Sequence, residues 1–299
     1  MLGGKILVVG LARNVGDDFE KNFRVLSSAV SIFDDVRYYV VESDSSDDTL
    51  EVFSRIKQNS PNFDFTSLGV LSEQLPNRID RLVHCRNTYL KYFFEHRDEF
   101  DYLIVADLDG VNDGLSAASL ASVWSGDVEW DAVFANQFSL YYDIWALRHD
   151  YWCPGDCWSN FRFLKEVGHS DEKALWDAVF SKMIRIPTNH SWIRVRSAFG
   201  GLGIYKASTF PDEYYSCYDE HGNEVCDHVG LHLSRGFNDK KLFINPALIN
   251  GGLNGHSEKA LLRNRIKRRL QKAEKKLRYF RDRLGIGLKF GQLKRRIKK

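Results

Sequence analysis

Tyr102-Leu103-Ile104-Val105-Ala106-Asp107-Leu108-Asp109-Gly110 is an apolar run that ends abruptly in two carboxylates spaced i, i+2 and a glycine. A continuous apolar run of this length, closed by a turn, is what a strand buried on both faces requires. Beyond it, an extended chain puts alternate side chains on one side, so Asp107 and Asp109 are expected to face one point. Two carboxylates that close are jointly ionised only beside a cation. Mg2+ and Mn2+ suit the pair, because they take hard oxygen ligands and bridge a carboxylate to substrate phosphates. The plain alternative is a solvated turn after a strand.

Upstream of this run, strand-like and helix-like patterns alternate. Lys5–Gly10 reads as a strand, and Asp17–Ser31 as a helix with Phe19, Phe23, Leu26 and Val30 on one face. Val36–Val41 is a second strand. The polar stretch Glu42-Ser43-Asp44-Ser45-Ser46-Asp47-Asp48-Thr49 follows, in which Ser46 or Asp47 is placed to cap a helix carrying Leu50, Phe53 and Ile56. Phe63–Val70 is extended and Ile79–Phe94 helical. This rhythm predicts βαβ units: an α/β fold with a mostly parallel twisted sheet and helices on both faces, since parallel neighbours need long crossovers. Ligands of such sheets bind outside the carboxyl ends of the strands. Ala12-Arg13-Asn14, Glu42–Asp48 and Asp107–Asp109 all fall there. No GxGxxG or GxxxxGK[ST] is present, so neither a dinucleotide fingerprint nor a P-loop supplies a phosphate site.

Composition bounds the rest. With 299 residues, 43% hydrophobic and 27% charged, the chain can bury a large core, which excludes disorder throughout. No stretch approaches the roughly 20 apolar residues of a membrane-spanning helix, and the apolar part of the N-terminus is too short for a signal peptide. The formal net charge of +2 conceals a split: residues 258–299 carry 18 Lys and Arg against 3 Asp and Glu, whereas the remainder has 24 against 37. In the tail Ile266, Leu270, Ala273, Leu277, Phe280 and Leu284 fall on one helical stripe among basic residues. An interfacial helix on anionic lipid uses both stripe and charge, and this reading is preferred to folding back on the acidic body, self-association or nucleic acid. Gly285, Gly287 and Gly291 are expected to end the helix.

Three regions follow: 1–110, ending in the paired carboxylates; a mixed α/β half, 111–257, continuous with it; and the basic tail 258–299. All seven tryptophans lie between Trp124 and Trp192. Most are read as core. Trp145, Trp152 and Trp158 are placed to approach a sugar, whose C–H faces pack on aromatic rings, with Asp143, Arg148 and Asp156 as polar neighbours. Phe161–Val167 and Ala174–Ile184 look helical, Ser191–Ser197 and Leu202–Tyr205 extended. Phe199-Gly200-Gly201 allows close backbone approach to a ligand or makes a tight turn. The five cysteines, Cys85, Cys153, Cys157, Cys217 and Cys226, fit reduced thiols better than a disulfide framework. Cys153, Cys157, Cys217 and Cys226 as a zinc site match no standard spacing.

Ala12-Arg13-Asn14, Val41–Thr49, Arg81 with Cys85-Arg86-Asn87, and Asp107-Leu108-Asp109, in that order, resemble GT-A glycosyltransferases. Within them the chain looks most like the cryptococcal capsule mannosyltransferase family and, more distantly, fungal Golgi mannosyltransferases. The resemblance extends through Tyr142–Arg148 and Ser197–Tyr205 to Cys226-Asp227-His228 and covers roughly residues 5 to 256. It implies that Ala12, Arg13, Asn14, Glu42 and Asp44 hold the nucleoside of a nucleotide-sugar donor and that Arg81 or Arg86 reaches its diphosphate. It implies Mn2+ or Mg2+ on Asp109, with or without Asp107, and a C-terminal histidine ligand, for which His256 is preferred to His228 and His232. Asp227 then becomes the base of an inverting enzyme, or a donor or acceptor contact of a retaining one; capping a helix from His228 to Arg235 is its structural alternative. Asp143, Trp145, Arg148, Gly200, Gly201 and His228 are the remaining candidates near donor or acceptor sugar.

The expectation is therefore a metal-dependent glycosyltransferase acting on a glycan or lipid-linked glycan in surface polysaccharide synthesis. The tail places it in the cytoplasm, peripheral on the inner membrane face. A nucleotidyltransferase also uses paired aspartates, but Gly10–Gly16 lacks a convincing phosphate loop. A non-catalytic sugar-nucleotide or RNA-binding module is the third reading.

Overall fold

The computed structural model of the chain describes residues 2–219 and 221–252, with 255, 257, 258, 260 and 261. The chain divides into two units, Met1–Ser257 and Glu258–Lys299. His256 and most of the basic tail, with its expected helix, lie outside the described residues.

The first unit is built on an open sheet of order β3-β2-β1-β4-β7-β5-β8-β6. Its strands are β1 (Lys5–Ala12), β2 (Asp35–Glu42), β3 (Phe63–Ser67), β4 (Tyr102–Ala106), β5 (Ala132–Gln137), β6 (Ile193–Val195), β7 (Leu202–Lys206) and β8 (Leu242–Gly251). The helices are α1 (Gly16–Val30), α2 (Thr49–Asn59), α3 (Arg78–Glu95), α4 (Ala117–Ala121), α5 (Cys157–Glu166), α6 (Asp171–Ala178) and α7 (Asp227–His232). This is the α/β class that the alternation predicts. The parallel pattern holds only for β3-β2-β1-β4 and for β5 with β8. β7 runs antiparallel to both its neighbours, and β6 antiparallel to β8. The second half of the sheet is therefore mixed rather than mostly parallel.

Side-chain alternation makes both faces core. Ile6, Val8, Tyr38, Val40, Ile104 and Val133 join Phe19, Leu26 and Val30 of α1 and Val52, Phe53 and Ile56 of α2 in one apolar cluster. Within it the rings of Phe19, Phe53 and Phe63 stand 4.6–6.0 Å apart. On the other face α3 buries Cys85, Arg86, Tyr89, Leu90 and Phe93, the i, i+4, i+8 stripe of a packed helix. α3 is started by Asn77, whose side chain accepts from the Ile79 amide at 3.0 Å. α7 shares that face, with the His232 ring 5.0 Å from Phe134 of β5.

Register fixes where the site lies. Ala12 pairs with Glu42, and Ala106 with Leu202, so the carboxyl ends of β1, β2 and β4 and the turn entering β7 share one edge. Gln137 pairs with Gly251, which brings the end of β8 to the same edge. β5 and β8 have no counterpart in the sequence reading: β5 ends in Asn136-Gln137, and β8 contains Pro246 within irregular pairing. The extended segment expected to Val70 stops at Ser67, where the Leu68 amide turns back to the Glu42 carbonyl at 2.8 Å and Gly69 has φ +63°. Asp156 accepts from the Ser159 amide and starts α5 at Cys157, ahead of the expected Phe161. The expected Ala174–Ile184 helix ends at Ala178 and is followed by a single 3₁₀ turn, Phe180–Lys182. α7 begins at Asp227 itself and ends at His232, so its cap is Cys226 and Asp227 is a first-turn residue.

Candidate active site

The loops after β1 and β2 are laced together. Asn14 and Asp44 are the two non-glycine residues with positive φ among those described, 51° and 59°; their short polar side chains tolerate that conformation. Asn14 accepts from the Ser46 amide at 2.8 Å, and its own amide donates to Ser45 at 3.0 Å. Arg13 Nε donates to the Asp44 carbonyl at 3.2 Å, the rest of the side chain being exposed. Glu42 is 1% exposed, with one carboxylate oxygen on the Ser45 amide and the other on the Ser67 hydroxyl. Asp44 accepts from the Ser72 amide at 2.8 Å and faces Arg81 Nε at 3.7 Å. Arg81 also donates to the carbonyls of Leu75 and Pro76. Asp47 accepts from Gly16 and Thr49, tying the first turn of α1 to that of α2. Glu42, Asp44 and Arg81 thus hold these loops through bonds internal to them, and Ala12 at the end of β1 is buried.

Asp107 and Asp109 follow β4 with Leu108 buried between them. Asp107 is anchored by its amide, which donates to the Gly201 carbonyl at 2.9 Å. Three buried amide side chains hold the opposing turn. Asn112 donates to the carbonyls of Asp107 and Gly201; Asn250 donates to Asn112 and to the Gly200 carbonyl; Gln137 donates to Gly200 and Asn250. Gly200 and Gly201 have φ +67° and +86°, and a Cβ on Gly201 would lie 2.6 Å from Val111 and 3.1 Å from the Tyr142 hydroxyl. The turn is a close-fitting wall that only glycine permits. The Gly200 amide donates to Asp143 at 3.0 Å, bringing a third carboxylate to the edge.

α3 joins the two regions. Cys85 Sγ is 3.5 Å from the Ser43 hydroxyl, and the next residue, Arg86, lies beneath Asp107 at 3.9 Å. Arg86 Nε donates to the Asp227 carboxylate, Nη1 donates to Tyr89 at 3.1 Å, and the guanidinium lies 5.5 and 5.4 Å from the Phe199 and Tyr215 rings. Burial alone would raise the Asp227 carboxyl, but the Arg86 charge outweighs it and holds the group well below the usual carboxylate range. His228 is stacked on Phe199 with ring centroids 3.7 Å apart, and neither ring nitrogen has a hydrogen-bond partner among the described residues. Burial, reinforced by Arg86, keeps it neutral.

The other candidates have other placements. Arg148 is 3% exposed, ion-paired with Asp156 at 2.9 Å and bonded to the carbonyls of Trp145 and Leu147, so both charged groups are consumed in folding that loop. Trp145 and Trp152 are half-buried, whereas Trp158 is exposed. All five cysteines are free and buried, and burial pushes the Cys153 and Cys157 thiols up to about 11 and 12. Among the described residues no set of three or more His, Cys, Asp or Glu stands together to hold a metal, which removes the zinc reading of the cysteines.

Asp107 and Asp109 nevertheless fit a divalent cation bound in part by substrate. Mg2+ is commonly held by one or two carboxylates with phosphate oxygens completing its shell. Burial pushes the Asp107 carboxyl up to about 8, with Arg86 opposing and the carboxylates of Asp109, Asp143 and Asp227 adding to the rise. About a third of its side chain is open, and that open side is where a cation would relieve the repulsion. Asn112, Gln137 and Asn250 escape the sequence reading, and Tyr142 enters it only as the first residue of the Tyr142–Arg148 stretch. Their trace in the sequence is amides and a tyrosine among glycines and aspartates.

No protein-family model matches the chain, and no curated protein does. Among solved structures, the mannosyltransferase PcManGT from Pyrobaculum calidifontis, in complex with GDP-Man and Mn2+, is similar with a TM-score of 0.47 and 15% identity, over 83% of this chain and 56% of its own. TarS from S. aureus with UDP-GlcNAc gives 0.47 and 13%, over 85% and 60%. Glucosyl-3-phosphoglycerate synthase from Mycobacterium tuberculosis, with Mn2+, UDP and phosphoglyceric acid, gives 0.38 and 14%, over 85% and 70%. The chain spans less than two thirds of the length of the first two.

Proposed function

We propose that the protein is a nucleotide-sugar-dependent glycosyltransferase of the GT-A kind, transferring a hexosyl group to a glycan or lipid-linked glycan. The supporting observation is the Asp107–Asp109 pair, set at the end of β4 against the amide-held Gly200-Gly201 wall and beside the laced loops of β1 and β2. In this reading Ala12, Arg13 and Asn14 with the Glu42–Asp44 loop form the nucleoside pocket, and the exposed nitrogens of Arg13 face its polar groups. Asp107 and Asp109 hold Mn2+ or Mg2+ with the donor diphosphate. When bound, the cation neutralises the charge that builds on the diphosphate as its bond to carbon breaks.

Asp143, which accepts from the Gly200 amide, and Tyr142, beside Gly201, are in this reading the contacts of the sugars. Asp227 is too firmly held by Arg86 to be a good proton acceptor, and its role is to fix Arg86 beneath Asp107. A neutral His228 keeps Phe199, and so the glycine turn, in place. The basic segment 258–299 brings this site to an anionic lipid surface; no helix among the described residues is long and apolar enough to cross a membrane.

The test is a panel of UDP-, GDP-, CMP- and dTDP-sugars, with and without Mn2+, read by thermal shift. Stabilisation by one nucleotide class, dependent on Mn2+ and absent in Asp109→Asn, is expected. No stabilisation by any member contradicts the reading.

A further inference from the structure

A second concavity, of about 340 Å3, lies at the opposite edge of the sheet, where Leu242 of β8 pairs with Val195 of β6. Its floor is mostly apolar: Val195, Phe237 and Leu242 are buried there beside the His232 ring. Its rim is cationic. Arg194 is braced by a bond to the Lys240 carbonyl and lies 5.2 Å from the Phe243 ring. Arg196 is paired with Asp150 at 3.0 Å, and Lys240 has no ion-pair partner among the described residues. Three cations against one carboxylate run counter to a body in which acids outnumber bases 37 to 24, so this cluster is not the average surface. Tyr151 stands beside it, 94% exposed. An apolar floor, an exposed aromatic and a cationic rim together suit a ring with C–H faces and a negative substituent. The volume admits one sugar unit with that substituent.

The pocket is joined to the first site by the chain itself. The segment that leaves β6 at Arg196 reaches Gly200 four residues on, a span of at most about 14 Å. It is clamped midway, where the Arg148 amide donates to the Ser197 carbonyl at 2.8 Å.

We propose that this pocket is a second saccharide site, taking a sugar unit that bears a phosphate or carboxylate. Resting on the glycosyltransferase reading, that unit belongs to the acceptor, held a few sugars away from the transfer point.

Calorimetric titration of the full chain with glucose 6-phosphate, glucuronate, glucose and inorganic phosphate tests the proposal. Either anionic sugar is expected to bind at least about tenfold more tightly than glucose or phosphate. The double variant Arg194→Ala/Lys240→Ala is expected to weaken that binding at least about tenfold and Tyr151→Ala about threefold, whereas Asp109→Asn leaves it intact. Absence of binding, equal binding of inorganic phosphate, survival in the double variant, or loss in Asp109→Asn would each overturn it. Nucleotide stabilisation measured on the same samples separates the two readings: pocket binding without it leaves the second site standing and removes the glycosyltransferase.

Discussion

Arg86 is the residue on which the two halves of the site meet. Its guanidinium is buried against Asp227, Tyr89, Phe199 and Tyr215, with Asp107 at 3.9 Å. Removing one member of a buried ion pair strands the other charge, so Arg86→Met is expected to lower unfolding stability by about 3–5 kcal/mol. Arg86→Met/Asp227→Leu should cost clearly less than the sum of the single changes, a non-additivity that denaturant titration measures. His232 sets a pH dependence. Burial, opposed by Asp227, holds its pKa at about 3, below the ordinary histidine value, while its nitrogens are engaged by Ser197 and Tyr205. The unfolded chain therefore takes up the proton first, and this contribution is full above about pH 6.5 and is lost as pH falls towards 3. The melting temperature should drop across that window, and less steeply in His232→Gln. Asp107 and Asp109 were legible because a carboxylate pair after an apolar run has a meaning by itself. Asn112, Gln137 and Asn250 were not, because each amide acquires its role from a partner 50 or more residues away.

At the scale of elements, α7 is positioned by a glycine as well as by the side chains of Asp227, His228 and His232. A Cβ on Gly230 would fall 1.8 Å from the Ser216 carbonyl oxygen, so the helix lies backbone against backbone on the preceding loop. Gly230→Ala must displace α7, with Asp227, His228 and His232 on it, and is expected to cost at least about 1–3 kcal/mol. Gly252→Ala, whose Cβ would have no atom of the described residues within 4 Å, should melt like the parent protein. The first four strands were readable because each apolar run is followed by a helix with one buried stripe, and β1 to β4 pair in parallel as such crossovers dictate. β5 and β8 were hidden. Asn136 and Gln137 end one in polar residues, and Pro246 interrupts the other; the sheet accommodates it with the Asn136 side chain donating to the Pro246 carbonyl.

For the whole molecule, opposite charges are segregated between body and tail. The segment 258–299, with 18 bases against 3 acids, is expected to carry binding to vesicles containing anionic lipid. Its removal should abolish sedimentation with them and leave the unfolding transition of the remainder in place; unchanged sedimentation contradicts the membrane role. That division was visible in the sequence because net charge needs no fold. The position of the second, cationic pocket was not, since Arg194 and Lys240 are brought together only by the antiparallel pairing of β6 with β8. Release of nucleoside diphosphate from the stabilising donor tests the role of the carboxylate pair at the end of β4 most directly. Release by the parent protein that requires Mn2+ or Mg2+ and falls by at least about a hundredfold in Asp109→Asn is the result expected. Release that is independent of divalent cation, or equal in Asp109→Asn, would contradict it.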